Sequence, residues 1–144
     1  MTMTLTAALA RHNITAADEA LAEIEVPVLA GMQRQGDVLI VPRPHIGAAE
    51  RTRMAPVPRE GVHVVRGEAT GNSHILDAVK GVVLWEAHES RASDDLVLGI
   101  VHVEVDSVAH LIHTEEHGCN ALAAGTYVLT GKRQMADEIR RVAD

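Results

Sequence analysis

Leu96-Val-Leu-Gly-Ile-Val-His-Val-Glu-Val-Asp-Ser-Val-Ala-His-Leu-Ile-His-Thr-Glu-Glu116 is the stretch whose reading decides the fold. Residues 96–105 and 108–116 are rich in β-branched side chains, and only Asp106-Ser107 separates them. The spacing therefore predicts an antiparallel hairpin with a two-residue turn. Val105 then faces Val108, Val103 faces His110, His102 faces Leu111 and Val101 faces Ile112, with His113 diagonal to His102 on one sheet face. One face carries Val97, Val101, Val103, Val105, Val108 and Ile112 and reads as core. The other carries His102, Glu104, His113, Glu115 and, if the strand continues, His117.

The end of this stretch, His110-Leu-Ile-His-Thr-Glu-Glu-His117, places three imidazoles and two carboxylates in eight residues. Neutral imidazole is the commonest metal ligand, and its ordinary pKa lies near neutrality, so the cluster suits a cation or a pH response. Imidazoles on neighbouring strands with a carboxylate nearby can converge on one divalent transition-metal ion; a wet strand end is the plainer reading. His110, on the apolar face, reads as a hydrogen-bonded core histidine. His113 and His117 also stand at the i, i+4 spacing of the zinc-protease helix. Thr114 occupies the place where that motif needs its glutamate, which argues against a protease.

Working outward, Leu5, Ala8, Leu9 and His12 share a helical face, and Thr15-Ala-Ala-Asp18 starts a second helix through Leu21, Ile24 and Glu25 that Pro27 stops. Residues 37–42 read as a buried strand between Gly36 and Pro42. Residues 43–60, with three prolines and no period, read as an exposed loop. Further extended stretches are expected at 62–69, 73–78, 82–87 and 121–131, with a polar turn over 90–95. Ile139 and Val142 favour a short C-terminal helix over 136–143. The fold class expected is mainly β: a small antiparallel barrel or roll, with N-terminal helices and a short C-terminal helix. Residues 1–31 form a helical N-terminal extension and 32–144 the β-rich domain.

The totals agree with one domain of 144 residues. Trp85 and Tyr127 are the only aromatics, so the core is built of small aliphatic side chains, which favours stability gained from subunit contacts. A formal charge of −7 disfavours nucleic acid. The lone Cys119 has no internal partner for a disulfide. The first ten residues have neither a signal peptide's basic start nor the length of a membrane span, so a reducing, cytoplasmic location without membrane contact is the expectation.

Gly67-Glu-Ala-Thr-Gly-Asn-Ser-His74 turns tightly around polar side chains, yet it has neither phosphate-loop nor dinucleotide spacing. Glu68 and His74 are candidates to join the downstream histidines. Cys119, next to Gly118 and near His117, reads as an incidental buried thiol rather than a nucleophile.

Gln35-Gly-Asp-Val38, Gly67 to His74, Glu116-His117 and Gly125-Thr-Tyr127 together make residues 32–144 resemble a family of small uncharacterised bacterial and phage proteins. Its members read Gln-Gly-Asp-Val, Gly-Glu-Val-Thr-Gly-His-Ala-His, His-x-Glu-His and Pro-Gly-x-Tyr. The resemblance implies a cupin-like histidine pattern marking Glu68, His74, Glu116 and His117. Asn72 and Thr114 stand where the family pattern has histidines, and Gly131-Lys-Arg-Gln134 replaces its Gln-Arg-Glu-Tyr. Loss of two imidazoles weakens a transition-metal site unless His113 substitutes through a bulge.

Three functional expectations follow. The first is a non-catalytic, self-associating β-rich module, a homo-oligomer or partner-binding protein with a vestigial histidine cluster. The second is a cupin-like protein or enzyme of unassigned substrate binding one divalent metal ion through His74, His113, His117 and Glu68 or Glu116. The third uses the same histidines as a pH-responsive interface.

Overall fold

The computed structural model describes residues 2–16, 23–65, 73–88 and 97–131. Among these residues it is mainly β, with three sheets, none closed into a barrel, and two small helices. The chain runs β1 (Met3–Thr4), α1 (Leu5–Ala10), β2 (Glu25–Val26), β3 (Val28–Leu29), β4 (Gln33–Gln35), β5 (Val38–Arg43), α2 (Ala48–Arg53), β6 (Ala55–Pro56) and β7 (Val62–Val65). It continues with β8 (His74–Lys80), β9 (Val83–Ala87), β10 (Val97–Val103), β11 (Val108–His113), β12 (Gly118–Leu122) and β13 (Gly125–Gly131). A six-stranded sheet has the order β4-β5-β13-β10-β9-β6, a five-stranded sheet the order β3-β12-β11-β8-β7, and β1 pairs with β2 alone.

Of the expected barrel or roll, the closed barrel does not form, and the two large sheets pack as open layers. Val38 and Ile40 of β5, Trp85 of β9, Val101 and Val103 of β10, and Tyr127 and Leu129 of β13 pack against Leu76 of β8, Leu111 of β11 and Leu122 of β12. These side chains project from the facing surfaces of the two large sheets, where period-two alternation places them. Gly99 makes room for the one tryptophan: a Cβ there would lie 2.2 Å from Trp85 Cη2.

The hairpin expected at 105–108 does not form. β10 pairs with β13 and β9, whereas β11 pairs with β12 and β8, so the two strands belong to different sheets. The link between them is bound to the neighbouring β8–β9 link instead of folding back. Glu104 N donates to Val82 O at 3.1 Å, Val82 N donates to Ser107 Oγ at 2.9 Å, and Asp106 takes a left-handed φ of 61°. The consequence is a change of face for β11. Ala109 and Leu111 point into the sandwich with His113, while His110 and Ile112 point to the other side, toward the N-terminal segment.

Three further readings change. Residues 43–60 contain α2 and β6 instead of a bare loop, with Arg43 and Glu50 joined by two hydrogen bonds of 2.7 Å. The first N-terminal helix forms, capped by Thr4, whose Oγ1 accepts from Ala7 N at 3.2 Å. Glu25, expected in the second helix, lies in β2 because its segment pairs with β1. Most of that second helix, the 90–95 turn and the 136–143 helix lie outside the described residues.

Candidate functional site

His113 and His74 are direct register partners on β11 and β8. Their side chains leave the sheet on the inner face, and the rings stack with centroids 4.3 Å apart and planes 13° apart. His74 is 3% and His113 4% exposed. Over them sits the β4–β5 turn, Gln35-Gly36-Asp37. Gly36 has φ +56°, and a Cβ on it would lie 3.4 Å from His113 Cε1 and 3.6 Å from His74 Cε1.

A chain of side-chain amides fixes the proton on His74. Asn120 Nδ2 donates to Gln33 Oε1 at 3.1 Å, which turns Asn120 Oδ1 toward Gln35. Gln35 Nε2 donates to that oxygen at 2.9 Å and also to Leu111 O, so Gln35 Oε1 is left as an acceptor. It lies 2.9 Å from His74 Nδ1, which must therefore carry the hydrogen. His74 is held as the tautomer whose Nε2 offers a lone pair. Burial, then the neighbouring His113, pushes the His74 pKa down to about 4, against a smaller opposing pull from Asp37.

The other candidates are placed unequally. Glu116 is exposed, and its Oε2 lies 3.3 Å from His113 Nδ1 without hydrogen-bond alignment, leaving that buried nitrogen unpartnered. His117, with φ 54°, has Nδ1 2.7 Å from Thr15 O in the N-terminal segment. Glu68 lies outside the described residues. His102 is on the six-stranded sheet, its Nδ1 2.8 Å from Thr126 Oγ1, away from its expected diagonal with His113. A ring nitrogen's lone pair lies in the ring plane, so His74 and His113, stacked as they are, cannot both aim at one ion. Among the described residues no three His, Cys, Asp or Glu side chains are grouped to hold a metal.

The opposite face of the same sheet holds a second polar cluster. Asp77, 0% exposed, lies beside His110 in the β8–β11 register. Its carboxylate accepts from Arg11 Nε at 2.7 Å and Arg11 Nη2 at 3.2 Å, and His12 Nε2 approaches to 3.0 Å. Burial alone would raise the carboxyl's pKa, but the contacts with Arg11 and His12 hold it below the ordinary value. His110 is fully buried with Nδ1 unpartnered, and burial pushes its pKa down to about 4. Burial, helped by Asp77, pushes the half-buried Cys119 thiol up to about 12, the reverse of nucleophile activation.

The amide chain also reaches the sheet's edge. Gln33 Nε2 donates to Ala121 O at 3.0 Å, tying β4 to β12, beside which the two-residue β3 runs parallel as an edge strand. Around β3 lie Ile24, Leu29 and Met32, exposed by 53%, 46% and 70%. A separate groove of about 650 Å³, lined by Ile46, Arg51, Met54, Pro56 and Leu84 among others, contains none of the imidazoles.

Gln35 and Asn120 went unselected in the sequence because single amides carry no spacing signal, although Gln35 heads the Gln-Gly-Asp-Val segment. Asp77 left a usable trace as a lone carboxylate in the middle of an apolar strand, which demands a buried cation.

The fold and these two clusters define a mainly β, two-layered domain whose five-stranded sheet carries buried polar groups on both faces. Residues 34–132 match the family described as Domain of unknown function (DUF8820), and the chain belongs to that family. No curated protein and no solved structure matches the chain. Among the described residues no helix is long and apolar enough to cross a membrane.

Proposed function

We propose that this protein is a non-catalytic, self-associating β-sandwich module, and that a second copy docks on the β3 edge. The observation that carries this reading is the exposure of Ile24, Leu29 and Met32, which lie in β3 or within a few residues of it in the chain, at the shorter edge strand of the five-stranded sheet. Contiguous exposed apolar side chains next to polar ones favour association. Glu25 and Arg34, both exposed, flank the group, so a two-fold arrangement sets the acid of each copy against the base of the other. Sedimentation at micromolar concentration is expected to give a dimer, and Leu29→Asp with Met32→Asp a folded monomer. A wild-type monomer under those conditions refutes the reading.

A second reading rests on the tautomer of His74: an Nδ1–H given to a fixed amide oxygen and a lone pair on Nε2 is how a metal-binding imidazole is oriented. In this reading one divalent cation is taken by His74 or by His113 with Glu116, and the ring stack opens. Zinc titration of untagged protein followed by dialysis tests it. Retention near one equivalent, lost in His74→Ala, supports it, and retention below about a tenth of an equivalent retires it.

A further inference from the structure

Among the described residues, the hydrophobic core between the two large sheets contains none before Val38. Ala8 and Leu9 of α1 and Val26 of β2 are nonetheless buried, at 0%, 0% and 5% exposure, while Ile75, Ile112 and Ala121 are buried on the outer face of the five-stranded sheet. The N-terminal segment thus belongs to a second, thinner layer. α1 packs against β12, and β1 pairs only with β2, so the sheet ladder of the sandwich does not extend into this layer.

This layer is fixed by charge. After α1 the chain turns through Asn13 at φ 60°, with Asn13 N donating to Ala10 O at 3.1 Å and Ile14 N to Leu9 O at 3.1 Å. The turn follows directly on Arg11 and His12, which meet Asp77 as described. A Cβ on Gly61, just before β7, would lie 2.7 Å from Ile75 Cγ2, 3.0 Å from Leu76 O and 3.2 Å from His12 Cε1, so the ring packs where the chain carries no side chain. His117 Nδ1 adds a contact to Thr15 O. Beneath, His110 Nδ1 is buried and unpartnered, a polar defect that weakens the layer it lies in.

We infer that residues 2–16 form a strap latched to the sandwich by the Arg11–Asp77–His12 cluster, which opens as a unit while the sandwich stays folded, uncovering the outer face around Asp77 and His110. Local opening of this kind follows where one layer has few apolar contacts and depends on a single buried charge group. Opening hydrates Asp77, which the closed state keeps from water, so the latch stays closed only while the Arg11 guanidinium holds the carboxylate.

One tryptophan and one cysteine make the test clean. Trp85, buried in the sandwich, reports global unfolding, and a thiol at the buried Ala8, as Ala8→Cys with Cys119→Ala, reports the strap. Thiol labelling is expected at least about tenfold faster than unfolding read by Trp85 fluorescence. Arg11→Gln should accelerate it at least a further tenfold while leaving the Trp85 urea midpoint in place. Labelling that coincides with the Trp85 transition, or that Arg11→Gln leaves unchanged, overturns the strap. Asp77→Asn provides an independent check, because it removes the latch from the sheet side and should give the same acceleration.

Discussion

The two faces of the β8–β11 pair solve one problem in opposite ways. On the inner face, His74 is buried as a neutral ring whose Nδ1–H meets an amide, itself held by a second amide and a backbone carbonyl. On the outer face, Asp77 is buried as an ion, held by the guanidinium of a remote segment, with the His12 imidazole 3.0 Å away. A neutral network carries a smaller desolvation cost than a buried ion and spreads its hydrogen bonds over several members. A buried ion concentrates the dependence on its partners. The difference teaches that the inner site is rigid by construction, whereas the outer one is conditional.

Acid gives the largest expected effect, and it acts on both faces alike. His74 and His110 titrate near 4 in the folded chain against an ordinary value of 6.5, so between those limits the unfolded chain binds more protons. Stability is then complete above about pH 6.5 and falls as the pH drops toward 4, by up to about 3 kcal/mol for each ring. Urea midpoints at pH 7, 6 and 5 check this, and His110→Gln should remove roughly half of the slope. Asp77 works in the same direction at lower pH, its contribution being lost below its ordinary value of 3.8. A flat profile from pH 7 to 5 would show that neither ring is buried neutral.

Breaking the latch comes next. Arg11→Ala leaves Asp77 without its principal cation and should cost the N-terminal layer about 3 kcal/mol, the low end for a buried pair because Arg11 is 35% exposed. Replacing both partners together, Arg11→Met with Asp77→Leu, should recover most of that loss. The protection of the Ala8→Cys thiol measures both. Recovery in the double variant would establish that the loss comes from the stranded carboxylate, not from missing packing.

On the inner face, Gln35→Leu removes three hydrogen bonds and strands His74 Nδ1, at a cost of about 2 kcal/mol in urea unfolding read by Trp85. The smallest effect belongs to Gly36→Ala. The added methyl meets the rings at ordinary contact distances, so the cost is only the left-handed backbone, about 1 kcal/mol. An effect of more than about 3 kcal/mol there would mean that the turn is pressed far more tightly on the imidazoles than these distances allow.

Much of the strand pattern was legible. The extended runs at 73–78 and 82–87 correspond to β8 and β9, the described part of 62–69 to β7, and 121–131 to the end of β12 and β13, because β-branched side chains and glycine breaks are local signals. The pairings were not. Asp106-Ser107 looks like a hairpin turn from either side, and only its hydrogen bonds to Val82 make it a crossing between sheets. That one error assigned β11 to the wrong neighbours and turned His113 outward with Glu115. The approach of His74 to His113 was foreseen as neighbours of a common site, but not their stacking.

The sequence by itself determined a mainly β domain, the concentration of imidazoles near 110–117 and the amphipathic character of α1, since each follows from side chains close in the chain. Tertiary structure alone decided which face each strand turns inward, which nitrogen of His74 carries the proton, and that Arg11 is the partner of Asp77, 66 residues away. Those are long-range outcomes. A strand's alternation offers two equivalent faces, and only the neighbours that the folded chain brings alongside break the tie.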